Sequence, residues 1–164
     1  MACLNWSEGF SVGIEMVDAD HRQLLQLLNE ADQLRWRLIK EGDVDISLVK
    51  DILDKLLEYT ARHFAFEEAL MKEFSYPDLE AHAQIHQNLI RSLLLLQKEF
   101  RKEGISILPK MIVFLSTWWS SHILSTDMEY SSYLELENKD IEVVDRIATQ
   151  SYYQSLTGGN GQKN

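Results

Sequence analysis

Leu79, His82, His86, Leu89, Leu93, Leu96 and Phe100 follow one another in alternating steps of three and four residues. That period lines one face of an α-helix, and no strand can keep it. Three further stripes repeat it: His21, Leu24, Leu28, Ala31 and Leu38; Val49, Ile52, Leu56, Tyr59, His63, Glu67, Leu70 and Phe74; Leu108, Met111, Leu115, Trp118 and His122. Between them stand turn and cap residues: Glu41-Gly42, the capping Asp45, Ser75-Tyr76-Pro77, Gly104 and Pro109. With seven glycines and two prolines in 164 residues, the chain has too few breakers for the many turns of an all-β fold.

The sequence therefore predicts an all-α, up-down-up-down four-helix bundle over residues 1–134, with its first helical period starting at Asp18. Met1 to Val17 reads as an arm wrapped over the bundle. Residues 135–164 read as a C-terminal helical extension or linker in which Ile141, Val144 and Ala148 share one face. Its end, Gly158-Gly159-Asn160-Gly161, reads as flexible.

A formal net charge of −10 opposes nucleic acid and anionic membrane surfaces as partners, because both carry the same sign. No apolar run approaches the ~20 residues of a membrane span. The first ten residues lack a signal-peptide pattern, and the single cysteine, Cys3, cannot form an internal disulfide. The expected location is cytoplasmic.

The histidines carry the functional argument. A lone histidine on an inward stripe is most often a hydrogen-bonded core residue. Here all five histidines of the chain, His21, His63, His82, His86 and His122, fall on inward stripes. His63 and Glu67 are four apart, as are His82 and His86, so each pair directs two donor atoms to one spot. An inward Glu67 needs a positive partner, since burying an uncompensated carboxylate costs several kcal/mol, and no lysine or arginine shares its stripe. A metal supplies that charge. Asp127 lies five beyond His122, off the face of a regular helix, and joins the set only if the helix is locally distorted. Five imidazoles and two carboxylates are too many for one tetrahedral zinc. Such donors suit iron, copper, zinc or nickel, and carboxylates that can bridge favour a pair of ions.

Trp6, Val12-Gly13-Ile14-Glu15 through Asp18 to His21, His63-Phe64-Ala65-Phe66-Glu67-Glu68 with Leu70-Met71, Tyr76-Pro77-Asp78 leading to His82 and His86, and Trp118, His122, Asp127 and Tyr130 occur in this order. From Asn5 to about Leu134 the pattern resembles the bacterial hemerythrin domains. That resemblance implies reversible dioxygen binding, without catalysis, at two non-heme iron ions (Fe2+/Fe3+) joined by a bridging oxo or hydroxo group. It assigns His82, His86 and His122 to one iron and His21 and His63 to the other, with Glu67 and Asp127 bridging. One position on the two-histidine iron stays open for dioxygen; small anions and nitric oxide are further candidate ligands. Phe64, Trp118, Trp119 and Ile123 flank ligands in the sequence and are the expected lining of the ligand pocket.

Other readings are an oxygen carrier or store, a di-iron oxidase, peroxidase or nitric-oxide-handling enzyme, and a metal-free scaffold bundle. The tail separates carrier from sensor. Leu156-Thr157-Gly158 resembles the opening of a diguanylate cyclase output domain, and the stripe from Ile141 could equally dock on the bundle. The expectation is oxygen or redox sensing, with the C-terminal helix serving an output partner or domain, or self-association.

Overall fold

Asp45 closes the first interhelical loop by accepting the Ser47 N–H at 2.8 Å, satisfying a donor left open at the start of the next helix. The helix before it ends at Gly42 and the third helix ends at Gly104. Both glycines have positive φ (76° and 65°), a conformation side chains disfavour. These stops bound α1 (Glu15–Glu41), α2 (Ile46–Glu73) and α3 (Leu79–Glu103). Pro109 lies in the first turn of α4 (Leu108–Ser121), where its missing N–H costs nothing. After a π-helical turn, His122–Asp127, comes α5 (Met128–Leu134), which completes the fourth rod of the bundle. The last helix is α6 (Ile141–Gly158).

The computed structural model describes residues 4–136 and 140–158, with side chains in the last stretch as far as Tyr152. Cys3, residues 138–139, the glycine-rich end at 159–161 and the side chains of Leu156 and Thr157 lie outside the described residues.

α1 packs against α2 and α4, and α2 also receives α3. The leucine stripes meet in the interior: Leu24, Leu28, Leu53, Leu56, Leu93, Met111 and Leu115 are all buried. The fold is the all-α four-helix bundle that the stripes predict. Among the described residues no helix is long and apolar enough to cross a membrane.

One boundary and one helix face differ from expectation. α1 begins at Glu15 rather than Asp18, with Ile14 at its N-cap, so Asp18 lies within the first turn. The buried Asp18 carboxylate accepts from Ser11 Oγ (2.6 Å) and Val12 N–H (2.8 Å), and so clasps the N-terminal arm. The arm is also pinned by Asn29, which bonds both backbone groups of Leu4, and by Phe10, whose ring meets Trp119 at 4.7 Å. In α6 the buried face is Val144, Ile147 and Ser151, with Ala148 half-buried, whereas Ile141 is 53% exposed. The helix seats on α2, and that contact, not the spacing of apolar residues alone, sets its rotation.

Candidate metal centre

All five histidines, Glu67 and Asp127 are buried, none more than 4% exposed. His21 comes from α1. His63 and Glu67 stack one turn apart on α2, and His82 and His86 do the same on α3.

His122 and Asp127 open and close the π-helical turn. In a regular helix, five residues of rotation would leave them roughly 140° apart. The wider turn, bonded from each residue to the fifth along, returns Asp127 to the face of His122. This is the local distortion that the five-residue spacing requires.

Two overlapping sets of donor atoms result. Glu67, His82, His86, His122 and Asp127 form one, and His21, His63, Glu67 and Asp127 form the other; within each, the donors lie within 4.8 Å of one another. Asp127 spans them: its Oδ1 is 3.1 Å from His122 Nε2 and 3.4 Å from His82 Nε2, while Oδ2 is 3.4 Å from His21 Nε2. Glu67 Oε2 also reaches both, at 3.3 Å from His86 Nε2 and 3.4 Å from His63 Nε2. His82 Nε2 and His86 Nε2 face each other at 2.9 Å.

Donors bound at about 2.1 Å to one ion sit roughly 3 Å apart when adjacent and 4.2 Å when opposed. The observed spacing fits that pattern. The buried His21 Nε2, His122 Nε2, Glu67 Oε2 and both Asp127 oxygens have no hydrogen-bond partner within the described protein. Leaving such atoms unmatched is costly, so convergent lone pairs without donors are the arrangement a cation would satisfy. The seven residues could hold two metal ions.

The electrostatics agree. Burial alone would raise the Asp127 carboxyl, yet the imidazoles, led by His21 and His82, hold it below the usual carboxylate range. Glu67 is lowered as well: burial and the Asp127 charge push it up, while His63 and His86 outweigh them. For His63, burial favours the neutral ring, but Glu67 and Asp20 raise it to about 9. Burial dominates at His122, pushing it down to about 4.

Three groups around the donors escaped the reading of the sequence as ligand partners. Tyr130, fully buried, donates its hydroxyl to Glu67 Oε1 at 2.8 Å and fixes that carboxylate. Burial, with the negative charges of Glu67 and Asp127, raises the phenol well above its ordinary value, so it stays a donor. Glu68 lies 2.9 Å from His86 Nδ1, and Asp20 Oδ2 lies 3.5 Å from His63 Nδ1. Carboxylates on the far nitrogen of a metal-bound imidazole fix its tautomer and strengthen it as a ligand. Tyr130→Phe is expected to cost about 1.5–3 kcal/mol in chemical denaturation, the usual value of a hydrogen bond to a charged group.

The expected pocket residues divide. Phe64 stacks on His86 (centroids 3.6 Å, planes 4° apart) and meets His122 edge-on. Trp118 stacks on His122 at 4.9 Å, and Ile123 is buried. Trp119 turns toward Phe10 and, with Trp118, lines a small cavity whose other walls include Leu24, Thr60, Leu89 and Leu93. Leu24, Thr60, Leu89 and Trp119 each stand three residues, about one helical turn, from His21, His63, His86 and His122 respectively, so the cavity borders the donor cluster. Thr60 and the leucines were missed because a buried apolar lining looks like ordinary core.

The Hemerythrin HHE cation binding domain family matches residues 12–134. The bacteriohemerythrin of Stenotrophomonas maltophilia is 30% identical over 131 residues, covering 80% of this chain and 81% of that protein. The bacteriohemerythrin of Clostridium acetobutylicum is 32% identical over 127 residues, covering 76% of this chain and 96% of its own length. A crystal structure of a hemerythrin mutant superposes with a TM-score of 0.72 at 25% identity, covering 83% of this chain and all of the other. With a family match across residues 12–134 and a relative 32% identical over 76% of the chain, this protein, whose bundle turns five histidines and two carboxylates onto one buried spot, belongs to the hemerythrin family.

Proposed function

We propose that this protein binds dioxygen reversibly at two non-heme irons and that α6 reports the state of the centre. The observation that best supports this is the pair of unequal donor sets. In this reading His82, His86 and His122 hold one iron, His21 and His63 the other, and Glu67 and Asp127 belong to both. The set with two histidines has one donor fewer, which leaves room for a small ligand. When bound, the irons supply the electrons that dioxygen takes up and gives back.

The protein's own groups do the rest. Glu67 and Asp127 balance the charge of the ions, and Tyr130 keeps Glu67 in place. Phe64, Trp118 and Ile123 exclude water around His86 and His122. Oxygen-activating di-iron bundles use carboxylate-rich Glu-x-x-His pairs; a donor set dominated by imidazole favours binding over catalysis.

The test is an optical titration of reduced protein with oxygen beside iron analysis. Uptake of one dioxygen per two irons, reversed by lowering the oxygen pressure, is expected; continuous oxygen consumption would make the protein an oxidase instead. Trp119→Ala, which opens the cavity beside the cluster, is expected to speed azide binding and loss of the oxygenated form several-fold. Unchanged rates in this variant would place Trp119 outside the ligand path. For the reporting role, hydrogen exchange across residues 141–152 should differ between deoxy and oxidised protein. Equal protection would favour storage or transport.

A further inference from the structure

The centre has two halves, and each has a carboxylate on the far side of one of its imidazoles. Glu68 supports His86 and opens toward a surface groove between α2 and α3. Asp20 Oδ2 stands 3.5 Å from His63 Nδ1, at ion-pair distance, and the residue faces the other way, into an open cleft of about 400 Å³ walled on one side by α6. Asp20, Arg62 and Phe66 form the inner wall of that cleft; Ala148, Ser151 and Tyr152 of α6 form the outer wall. Asp20 uses both oxygens: Oδ2 lies toward His63 Nδ1, and Oδ1 is 3.4 Å from Arg62 Nη2. The Arg62 guanidinium lies over the Tyr59 ring at 4.4 Å and faces Tyr152 of α6 at 5.9 Å. The fourth rod ends at Glu135 in a left-handed conformation (φ 42°), and α6 seats on α2.

We propose that Asp20 and Arg62 couple the His21/His63 half of the centre to α6, with Asp20 the positioning residue for His63 and docked α6 holding the Asp20–Arg62 pair in place. The inference rests on the two-iron reading above. A metal on His63 fixes the ring, and its Nδ1–H then holds Asp20 in one position. Arg62 follows Asp20, and the face it offers Tyr152 follows Arg62. If α6 lifts away, the partly exposed pair loses its outer wall, the attraction within it is screened further, and Asp20 is held less firmly beside His63. Binding couplings are reciprocal, so metal uptake at His21/His63 must also favour the docked helix.

The test uses the full chain, stripped of metal and titrated with ferrous ion without oxygen, followed by calorimetry. His63→Ala and His82→Ala assign the two uptake steps. Asp20→Asn is expected to weaken the His21/His63 step by about 10–100-fold and leave the other unchanged, and Glu68→Gln to do the reverse. Ile147→Asp, which unseats α6 without touching Asp20, should weaken the His21/His63 step several-fold; Arg62→Gln asks the same question should that variant fold poorly. Hydrogen exchange over residues 141–152 should slow when wild type takes up iron, and that slowing should vanish in Asp20→Asn. A wild-type isotherm and wild-type exchange in Asp20→Asn would overturn the coupling alone, as would equal weakening of both steps. Wild type that takes up fewer than two ions would overturn the two-iron reading itself, and the coupling with it.

Discussion

Stripping the metal with a chelator under reducing conditions is expected to lower the melting temperature by about 15–30 °C. Each ion that binds the folded chain alone stabilises it by about 4 kcal/mol at a thousand-fold excess over its dissociation constant. For a chain of this length each kcal/mol moves the midpoint by about 2–4 °C. The effect should be large because the interior is built around a cluster of buried donors. Glu67 and Asp127 have no exposed surface, and several of the atoms they and the histidines direct inward lack any other partner. Calorimetric scans of loaded and stripped protein decide the matter. Equal melting temperatures would mean that the bundle tolerates its buried donors unaided and that metal plays no part in its stability.

Asp127 should be the most damaging single residue to lose. It is the side chain whose two oxygens separately face the two donor sets, one toward His82 and His122 and the other toward His21. Asp127→Ala is therefore expected to take the iron content from about two per chain to below one, since both ions lose a shared anionic ligand at once. His82→Ala removes a donor from one set only and should leave about one. Iron analysis after loading, with a melting curve on the same samples, separates these outcomes. Equal iron in the two variants would mean that Asp127 is not shared.

The histidine positions were legible because donors that converge on one spot from a helix must obey the helical period, and His63/Glu67 and His82/His86 obey it strictly. The π turn was legible as a demand: His122 and Asp127, five apart, can share a face in no regular helix. Its backbone form was not, because Ser125 and Leu124 between them carry no turn signature. Asp20 and Glu68 were hidden for a different reason. Each adjoins a buried ligand in sequence yet remains partly exposed, at 23% and 37%, so each looks like ordinary surface charge. Their partners lie across the helix interfaces. The seat of α6 was misjudged at Ile141 because a short helix with scattered apolar residues allows several faces, and contact with α2 selects among them.

The stacking of Trp118 on His122 gives the centre an optical signature of its own. Their planes lie 23° apart, so an ion on His122 lies within quenching range of the indole. Emission from Trp118 should dim as the centre fills. Trp36 is exposed and lies fifteen residues beyond His21 on α1, about 22 Å along the helix, and should stay bright throughout. On the two-ion reading the chain would carry both a lamp that the metal darkens and a reference lamp that it does not, and the fall in Trp118 emission on loading should report occupancy in unlabelled protein.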